Sequence, residues 1–180
     1  GSGVDYAHLS SVCDAMVDVV ASLDHDIEAI SAGGGLSIPY REGEPRIDCD
    51  HYFEQWDAAR KRIEQRLGHA VRLEIEPGRF LVAEAGALVA EVHAINRRPE
   101  RDFALVDAGF NDLMRPAMYG SYHRISVHAP DGATPPTAET RIAVAGPLCE
   151  SGDVFTQDAG GVVSDQSLPR PRIGDFLVFH

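Results

Sequence analysis

The chain has 180 residues, 44% of them hydrophobic, enough for one domain with a sizeable core or for two small domains. Its 16 basic and 28 acidic residues give a net charge of −12, which makes a nucleic acid an improbable partner. Because the sequence contains no apolar run of about 18 residues, no basic leader, no CxxC pair and no HExxH spacing, we expect no membrane span, no metal site and a cytoplasmic location.

Two amphipathic helices are predicted in the first half of the chain. Residues 5 to 23 repeat apolar side chains at helical spacing, which places Cys13 in the core. Residues 49 to 67 also repeat apolar side chains at helical spacing, and Gly68 just beyond them is typical of a helix end. Lys61, the only lysine, falls on the polar face of the second helix. The predicted apolar faces comprise Leu9, Val12, Cys13, Met16, Val19, Val20 and Leu23 in the first helix, and Phe53, Trp56, Ile63 and Leu67 in the second.

Each predicted helix is followed by a short strand that ends at glycine. Residues 27 to 32 run into Gly33 to Gly35, and residues 71 to 75 run towards Gly78. The order helix, strand, helix, strand with short connections is typical of parallel α/β units. In a barrel of such units, glycine-rich strand ends commonly bind phosphate, and Arg79 would add a charged contact. A plain tight turn is the alternative for the glycine run.

From about residue 86 the sequence pattern changes to short β segments separated by glycine, proline and aspartate. We place the domain boundary near residue 90 and predict an antiparallel β-barrel or sandwich after it. Residues 129 to 138, which are polar and rich in proline, are predicted to form a surface loop. The predicted strands cover residues 86 to 95, 103 to 107, 122 to 128, 141 to 145 and 175 to 179.

Carboxylates at two positions need an explanation. Glu76 ends an otherwise apolar strand, where an unpaired charge is costly, and either a salt bridge to Arg72 or Arg79 or a contact with a cationic ring nitrogen would account for it. Cys149 and Glu150 stand together in VAGPLCESGDVF. A working thiol favours partial exposure and polar neighbours, whereas a half-buried structural cysteine is the alternative.

Four segments together resemble a known enzyme family. GGGLSIPY, EPGRFLVAEAG, DAGFNDLMRPAMYGSYH and VAGPLCESGDVF look like the diaminopimelate decarboxylases, pyridoxal-phosphate enzymes with an alanine-racemase-like (β/α)8 barrel followed by a β domain. The opening GSGVDYAHL resembles a further family segment, so the resemblance runs along the whole chain. It implies that residues 1 to 90 are the C-terminal part of the barrel and that residues 91 to 180 are a β domain incomplete at its C-terminus.

The resemblance also implies a cofactor site for pyridoxal 5'-phosphate. Ser2, Gly35, Gly78 and Arg79 match family residues that contact the cofactor phosphate. Glu76 matches the carboxylate that faces the pyridine nitrogen, where a negative charge keeps the ring protonated.

Five residues match the substrate site of the family. Arg79, Arg115 and Tyr119 resemble substrate contacts, and Glu150 resembles the residue that binds the distal ammonium group. Cys149 resembles the residue that donates a proton after carbon dioxide has left. In the family this Cys-Glu pair reaches into the partner subunit's site, which implies a homodimer.

The implied reaction converts meso-2,6-diaminopimelate to L-lysine and carbon dioxide through an imine with the cofactor, as the last step of lysine biosynthesis. The alternatives are a decarboxylase of ornithine, arginine or a carboxylated polyamine, and a non-catalytic regulatory homologue. The Schiff-base lysine of the family lies upstream of these motifs, and Lys61 cannot replace it. We therefore expect an internal or C-terminal fragment that is inactive by itself.

Overall fold

The computed structural model describes residues 6–133 and 137–180, and the chain divides into two compact units after Ala85. The first unit ends at Ala85, and the second is Gly86–His180. The domain boundary predicted from the sequence, near residue 90, lies inside the first strand of the second unit.

The first unit combines helices with a pair of parallel strands. The pairing sets Ile30 opposite Leu73, so the two strands run in the same direction, as their alternation with helices predicts. The elements are α1 (Tyr6–Ala21), β1 (Ala29–Ser31), α2 (Cys49–Leu67), β2 (Arg72–Glu74) and α3 (Arg79–Val82), followed by a 3₁₀ turn, Ala83–Ala85.

Local sequence signals determine both ends of α2. The side chain of Asp48 accepts two backbone N–H groups of the first turn, which satisfies donors that the helix itself leaves unpaired. At the other end, Gly68 adopts a left-handed conformation, φ 81°, and donates its N–H to the carbonyl of Glu64 at 2.8 Å. The helix therefore occupies the predicted residues.

Helices α1 and α2 share an apolar core with the two strands. The α1 side of this core is one narrow stripe, with Cys13 buried in it as predicted. Four residues that the sequence predicts in the core are instead exposed. They lie on the helix surface beside the narrow stripe of residues through which each helix contacts the core. The buried residues are Cys13, Val20, Ile30, Trp56, Ala59, Ile63 and Val71, and the exposed ones are Val12, Val19, Leu23 and Phe53.

The second unit is built on a six-stranded sheet in the spatial order β5-β8-β3-β4-β6-β7. Gln166 at the start of β7 donates from Nε2 to the carbonyl of His123, just before β5, at 3.2 Å, so the sheet is nearly closed. The elements are β3 (Leu88–Asn96), β4 (Phe103–Val106), α4 (Arg115–Tyr119), β5 (Ile125–His128), β6 (Glu139–Ala145), β7 (Gln166–Pro169) and β8 (Phe176–Phe179). The five predicted strands are present, and β7 is additional, because its sequence QSLP has no alternating apolar signal.

One strand pair departs from the predicted antiparallel sheet. Strands β4 and β6 are parallel, with Phe103 opposite Ala143, whereas the other pairs of this sheet are antiparallel. A parallel pair needs a long crossover connection, and residues 107 to 138, which include α4 and β5, provide it. The prediction of a purely antiparallel domain is therefore wrong at this pair.

The core of the second unit lies inside the curved sheet. Side chains from all six strands fill it, and the rings of Phe155 and Phe179 meet with their centroids 4.5 Å apart. None of the helices described in either unit is long and apolar enough to cross a membrane. The buried cluster comprises Ala90, Val92, Ala104, Val106, Ala108, Ile125, Val127, Ile142, Val144, Phe155, Leu168, Leu177 and Phe179.

We expect Leu177→Ala to lower the free energy of unfolding by about 2 to 5 kcal/mol, because the side chain is fully buried on β8 and its removal leaves a cavity. Val89→Ala is the matched control on neighbouring β3, since Val89 is 57% exposed and its loss should cost less than about 1 kcal/mol. Urea unfolding of both variants measures the difference. Equal destabilisation would contradict this account of the core.

Candidate active site

In the first unit, the ends of the two parallel strands lie side by side. The N–H of Ala32 donates to the carbonyl of Glu74 at 2.8 Å, and the N–H of Glu76 donates to the carbonyl of Gly33 at 2.9 Å, so pairing continues beyond β1 and β2. A methyl group at Gly34 would lie 3.0 Å from the Glu76 carbonyl oxygen, closer than most side chains tolerate. The two glycine-bearing strand ends are therefore neighbours.

The Glu76 carboxylate is held by a serine rather than by an arginine. Ser31 donates from Oγ to Oε1 of Glu76 at 2.7 Å and accepts the N–H of Gly33 at 3.0 Å. Arg72 pairs with two other glutamates, and no salt bridge of Glu76 is found within the described residues. Sequence reasoning missed Ser31, although a hydroxyl at a strand end just before a glycine run was an available signal.

Arg79 offers a charged donor close to these strand ends. Its guanidinium carbon lies 5.6 Å from the centroid of the Tyr40 ring, which orients the planar group. Its Nη1 atom is buried and has no hydrogen-bond partner among the residues that the structure describes. Because a buried donor without an acceptor is costly, this atom marks a place where an anion would bind favourably.

The other residues predicted for the cofactor site differ in their positions. Gly35 is exposed and has φ 96°, a backbone conformation that favours glycine, whereas Gly78 has φ −86° and open space beside it. The helix after Gly78 has only four residues, so its terminus adds little to anion binding. Ser2 lies outside the described residues. Lys61 lies exposed on α2, with Nζ 2.7 Å from Oδ2 of Asp57.

In the second unit, Arg115 and Tyr119 begin and end α4. Their spacing of four residues places them on the same side of this short helix. Gly120 ends the helix in a left-handed conformation, φ 61°, and its N–H donates to the carbonyl of Pro116 at 2.9 Å. Arg115 is half-buried and donates from Nη2 to Oγ of Ser121 at 3.1 Å, whereas Tyr119 is 64% exposed.

Cys149 and Glu150 lie on an exposed turn after β6. The N–H of Asp153 donates to the carbonyl of Glu150 at 3.0 Å, and the N–H of Gly146 donates to the carbonyl of Asp153 at 2.9 Å, which closes the turn. Both Cys149 and Glu150 are exposed, so the half-buried structural cysteine considered from the sequence does not describe Cys149.

Local hydrogen bonds stabilise the charged form of Glu150. The N–H of Gly152 donates to Oε1 at 3.2 Å and the hydroxyl of Ser151 donates to the same atom at 3.1 Å. These bonds, the Gly152 N–H first, lower the pKa of the Glu150 carboxyl below its ordinary value. Glu150 therefore presents a negative charge to solvent, as the binding of an ammonium group requires.

The segment that leads into α4 contacts the turn that carries Cys149. A methyl group at Gly109 would lie 3.1 Å from Cδ1 of Leu148, and the N–H of Phe110 donates to Oδ1 of Asp153 at 2.7 Å. The two segments meet because β4 and β6 are parallel, so their carboxyl ends share one edge of the sheet. Sequence reasoning missed Asp153. The available signal was its position, as an acidic residue directly before a run of residues that are buried.

Comparison with known proteins places the chain in a family. The sequence model described as "Pyridoxal-dependent decarboxylase, C-terminal sheet domain" matches residues 10–180. The chain belongs to this family.

Individual relatives are also similar along most of the chain. A diaminopimelate decarboxylase from Streptomyces coelicolor is 62% identical over 180 residues, which is the whole chain but only 41% of the relative. A crystal structure of a diaminopimelate decarboxylase has a TM-score of 0.93 and 58% identity over the whole chain, which spans 43% of that structure. A crystal structure of a diaminopimelate decarboxylase from M. jannaschii in complex with L-lysine has a TM-score of 0.73 and 31% identity. The match covers 95% of this chain and 36% of the M. jannaschii chain.

We expect Gly120→Ala to destabilise the second unit far more than Gly174→Ala. Both glycines have positive φ, so each alanine adds about 1 kcal/mol of backbone strain. A methyl group at Gly120 would also overlap the backbone of Ala159, whereas Gly174 has nothing within 4 Å, and overpacking typically adds about 1 to 3 kcal/mol. Urea unfolding measures the difference, and equal losses would show that α4 is not packed on residues 158 and 159.

Proposed function

We propose that the chain is the C-terminal part of a decarboxylase that converts meso-2,6-diaminopimelate to L-lysine and carbon dioxide, the last step of lysine biosynthesis. The observation that carries the proposal is the meeting of two segments at one edge of the sheet. One segment leads into α4, which bears Arg115 and Tyr119, and the other bears Cys149 and Glu150. The identity of 62% to a diaminopimelate decarboxylase over the whole chain supports the same reaction.

Pyridoxal 5'-phosphate is the cofactor that we propose, and the residues of the first unit fit it. The buried Nη1 of Arg79 lacks an acceptor among the described residues, and a phosphate oxygen would satisfy it. Gly35 and Gly78 bring exposed backbone to the same strand ends, and Ser2 is proposed to complete this phosphate site. When bound, the cofactor supplies an electron sink for the charge that develops at the α carbon of the substrate.

Glu76 is proposed to set the protonation of the cofactor ring. A carboxylate beside the pyridine nitrogen favours its protonated form, since opposite charges attract. Ser31 fixes this carboxylate by donating to Oε1, and Ser31 is itself fixed by the N–H of Gly33. The position of the acid therefore depends on backbone pairing rather than on a flexible side chain alone.

The residues of the second unit are proposed to bind the substrate and to complete the reaction. Arg79 of the first unit is proposed as one substrate contact. Within the second unit, Arg115 and Tyr119 offer donors for carboxylates, whereas Glu150 offers a negative charge for the distal ammonium group. This combination suits a substrate with a second amino-acid head. The thiol of Cys149 donates its Sγ proton to the α carbon in place of the departing carbon dioxide, and solvent restores that proton.

We further propose a larger assembly around this chain. The parallel strands β1 and β2 with their helices are in keeping with the last units of a (β/α)8 barrel. Met114 and Met118 in the α4 segment and Leu148 beside Cys149 are apolar and exposed, and exposed apolar side chains of this kind suit contact with the second copy of a homodimer whose partner's site receives the Cys149 turn. A cytoplasmic location would keep the proposed thiol donor reduced.

We expect Glu76→Gln to lower kcat by about tenfold or more in the full-length protein, because a neutral amide no longer favours a protonated ring nitrogen. Glu74→Gln is the matched control, since Glu74 ends β2 two residues before Glu76 but pairs with Arg72. Carbon dioxide release and the cofactor absorbance spectrum are measured for both. A Glu76→Gln protein with normal kcat would exclude the proposed role of this carboxylate.

The substrate is tested by carbon dioxide release from meso-diaminopimelate, ornithine and arginine. We expect the full-length protein to act selectively on meso-diaminopimelate, and Cys149→Ala to lower kcat by about 10²-fold or more through loss of the proton donor. Cys49→Ala is the control, because Cys49 is also exposed but lies at the start of α2.

Preferential release from ornithine or arginine would replace the proposed substrate while the cofactor assignment is kept. No release from any of the three would favour a regulatory homologue. An unchanged kcat in Cys149→Ala would remove Cys149 from the reaction.

A further inference from the structure

The side-chain carboxylate of Asp153 lies in a part of the second unit that is closed to solvent. The residue is only 3% exposed, and no ion pair to it is found among the described residues. Its acceptors are instead used by two backbone amides. Oδ1 accepts the N–H of Phe110 at 2.7 Å, and Oδ2 accepts the N–H of Leu148 at 2.8 Å.

The surroundings of the Asp153 carboxylate leave no space for another side chain. A methyl group at Gly146 would overlap Oδ2 of Asp153 and would lie 2.7 Å from the carbonyl oxygen of Ala108. The N–H of Gly146 also donates to the carbonyl of Asp153 at 2.9 Å. The carboxylate is therefore enclosed between the end of β6 and the segment that follows β4.

The two amides belong to segments with different tasks in the proposed reaction. Leu148 immediately precedes Cys149, the proposed proton donor. Phe110 lies in a turn that Asp112 closes by accepting the N–H of Gly109 at 2.9 Å, and this turn leads into α4. One carboxylate thus joins the segment of the proton donor to the segment of the substrate-binding helix.

Other bonds hold the Cys149 turn without making this connection. Gln157 donates from Nε2 to the carbonyls of Gly152 and Val154, at 2.9 and 2.6 Å, and these contacts stay within the turn and its continuation. Burying a charged carboxylate among neutral groups costs free energy. The Asp153 carboxylate offsets this cost by forming charge-assisted hydrogen bonds to backbone amides in two separate segments.

We propose that Asp153 is a positioning residue, which fixes the Cys149 thiol relative to Arg115 and Tyr119 through its bonds to Leu148 and Phe110. This inference rests on the proposed decarboxylation. A displacement of about 1 Å between a catalytic group and its substrate can lower a rate by about 10²-fold, so the distance between the two segments matters directly.

Asp153→Asn in the full-length protein tests the inference. The amide keeps the size of the carboxylate but turns an N–H₂ donor towards one of the two backbone donors, which breaks one link. We expect kcat/KM for meso-diaminopimelate to fall about 10²-fold, with kcat lowered and KM raised, while the cofactor absorbance and the subunit assembly stay unchanged.

Asp175→Asn is the matched control. Asp175 is 7% exposed and accepts the N–H of Arg172 at 2.8 Å in the turn before β8, so this variant also breaks a carboxylate–amide bond in the same unit. We expect a comparable decrease in thermal stability but unchanged kcat and KM. If Asp153→Asn loses no more activity than Asp175→Asn, the positioning role is overturned.

A double-mutant cycle with Cys149→Ala separates positioning from general damage. If Asp153 acts on kcat through Cys149, adding Asp153→Asn to the Cys149→Ala variant lowers kcat little further, because the thiol is already absent. If the two substitutions lower kcat independently, so that their fold-changes multiply in the double variant, the inference is overturned. If the wild type prefers another amino acid, the cycle is carried out with that substrate, so failure of the proposed substrate is seen in the wild type alone.

Should Asp153→Asn not fold, hydrogen exchange of the wild-type protein decides. We expect the amides of Phe110 and Leu148 to exchange as slowly as those within β6, because a buried carboxylate holds both. Fast exchange at both amides would overturn the inference.

Discussion

Parallel strand pairing is the constraint on which both candidate sites depend. The carboxyl ends of two parallel strands leave a sheet at the same edge, so the segments that follow them become neighbours. In the first unit, β1 and β2 bring Gly33 and Gly34 beside Glu76. In the second unit, β4 and β6 bring the segment before α4 against the turn that bears Cys149. An antiparallel β4–β6 pair would place these two segments at opposite ends of the sheet.

Polar groups at these strand ends are anchored to backbone amides, either directly or through one serine. Ser31 links Glu76 to the N–H of Gly33, and Asp153 links the amides of Phe110 and Leu148. Backbone groups within paired segments move little, so the acids attached to them are placed more accurately than flexible side chains in solvent. The apolar cores of the two units supply the rigidity that this arrangement needs.

The groups of this chain would serve different parts of one reaction. The first unit offers an arginine whose buried Nη1 has no acceptor among the described residues and an acid held in place, whereas the second offers a thiol, a carboxylate of lowered pKa and a short helix with Arg115 and Tyr119. Lys61 is engaged with Asp57 on the surface of α2. A lysine that binds the proposed cofactor would therefore come from another part of a longer protein.

The sequence by itself determined the features that depend on neighbouring residues. Gly68 ends α2 as predicted, glycines follow both strands of the first unit, and short β-rich segments between glycine, proline and aspartate locate five strands of the second. Tertiary structure alone decided the parallel pairing of β4 with β6, the presence of β7, the exposure of Phe53 and the contacts of Ser31 and Asp153. The reason is physical: caps, turns and periodicity act over a few residues, whereas these contacts join segments that are distant in sequence and depend on how the whole sheet closes.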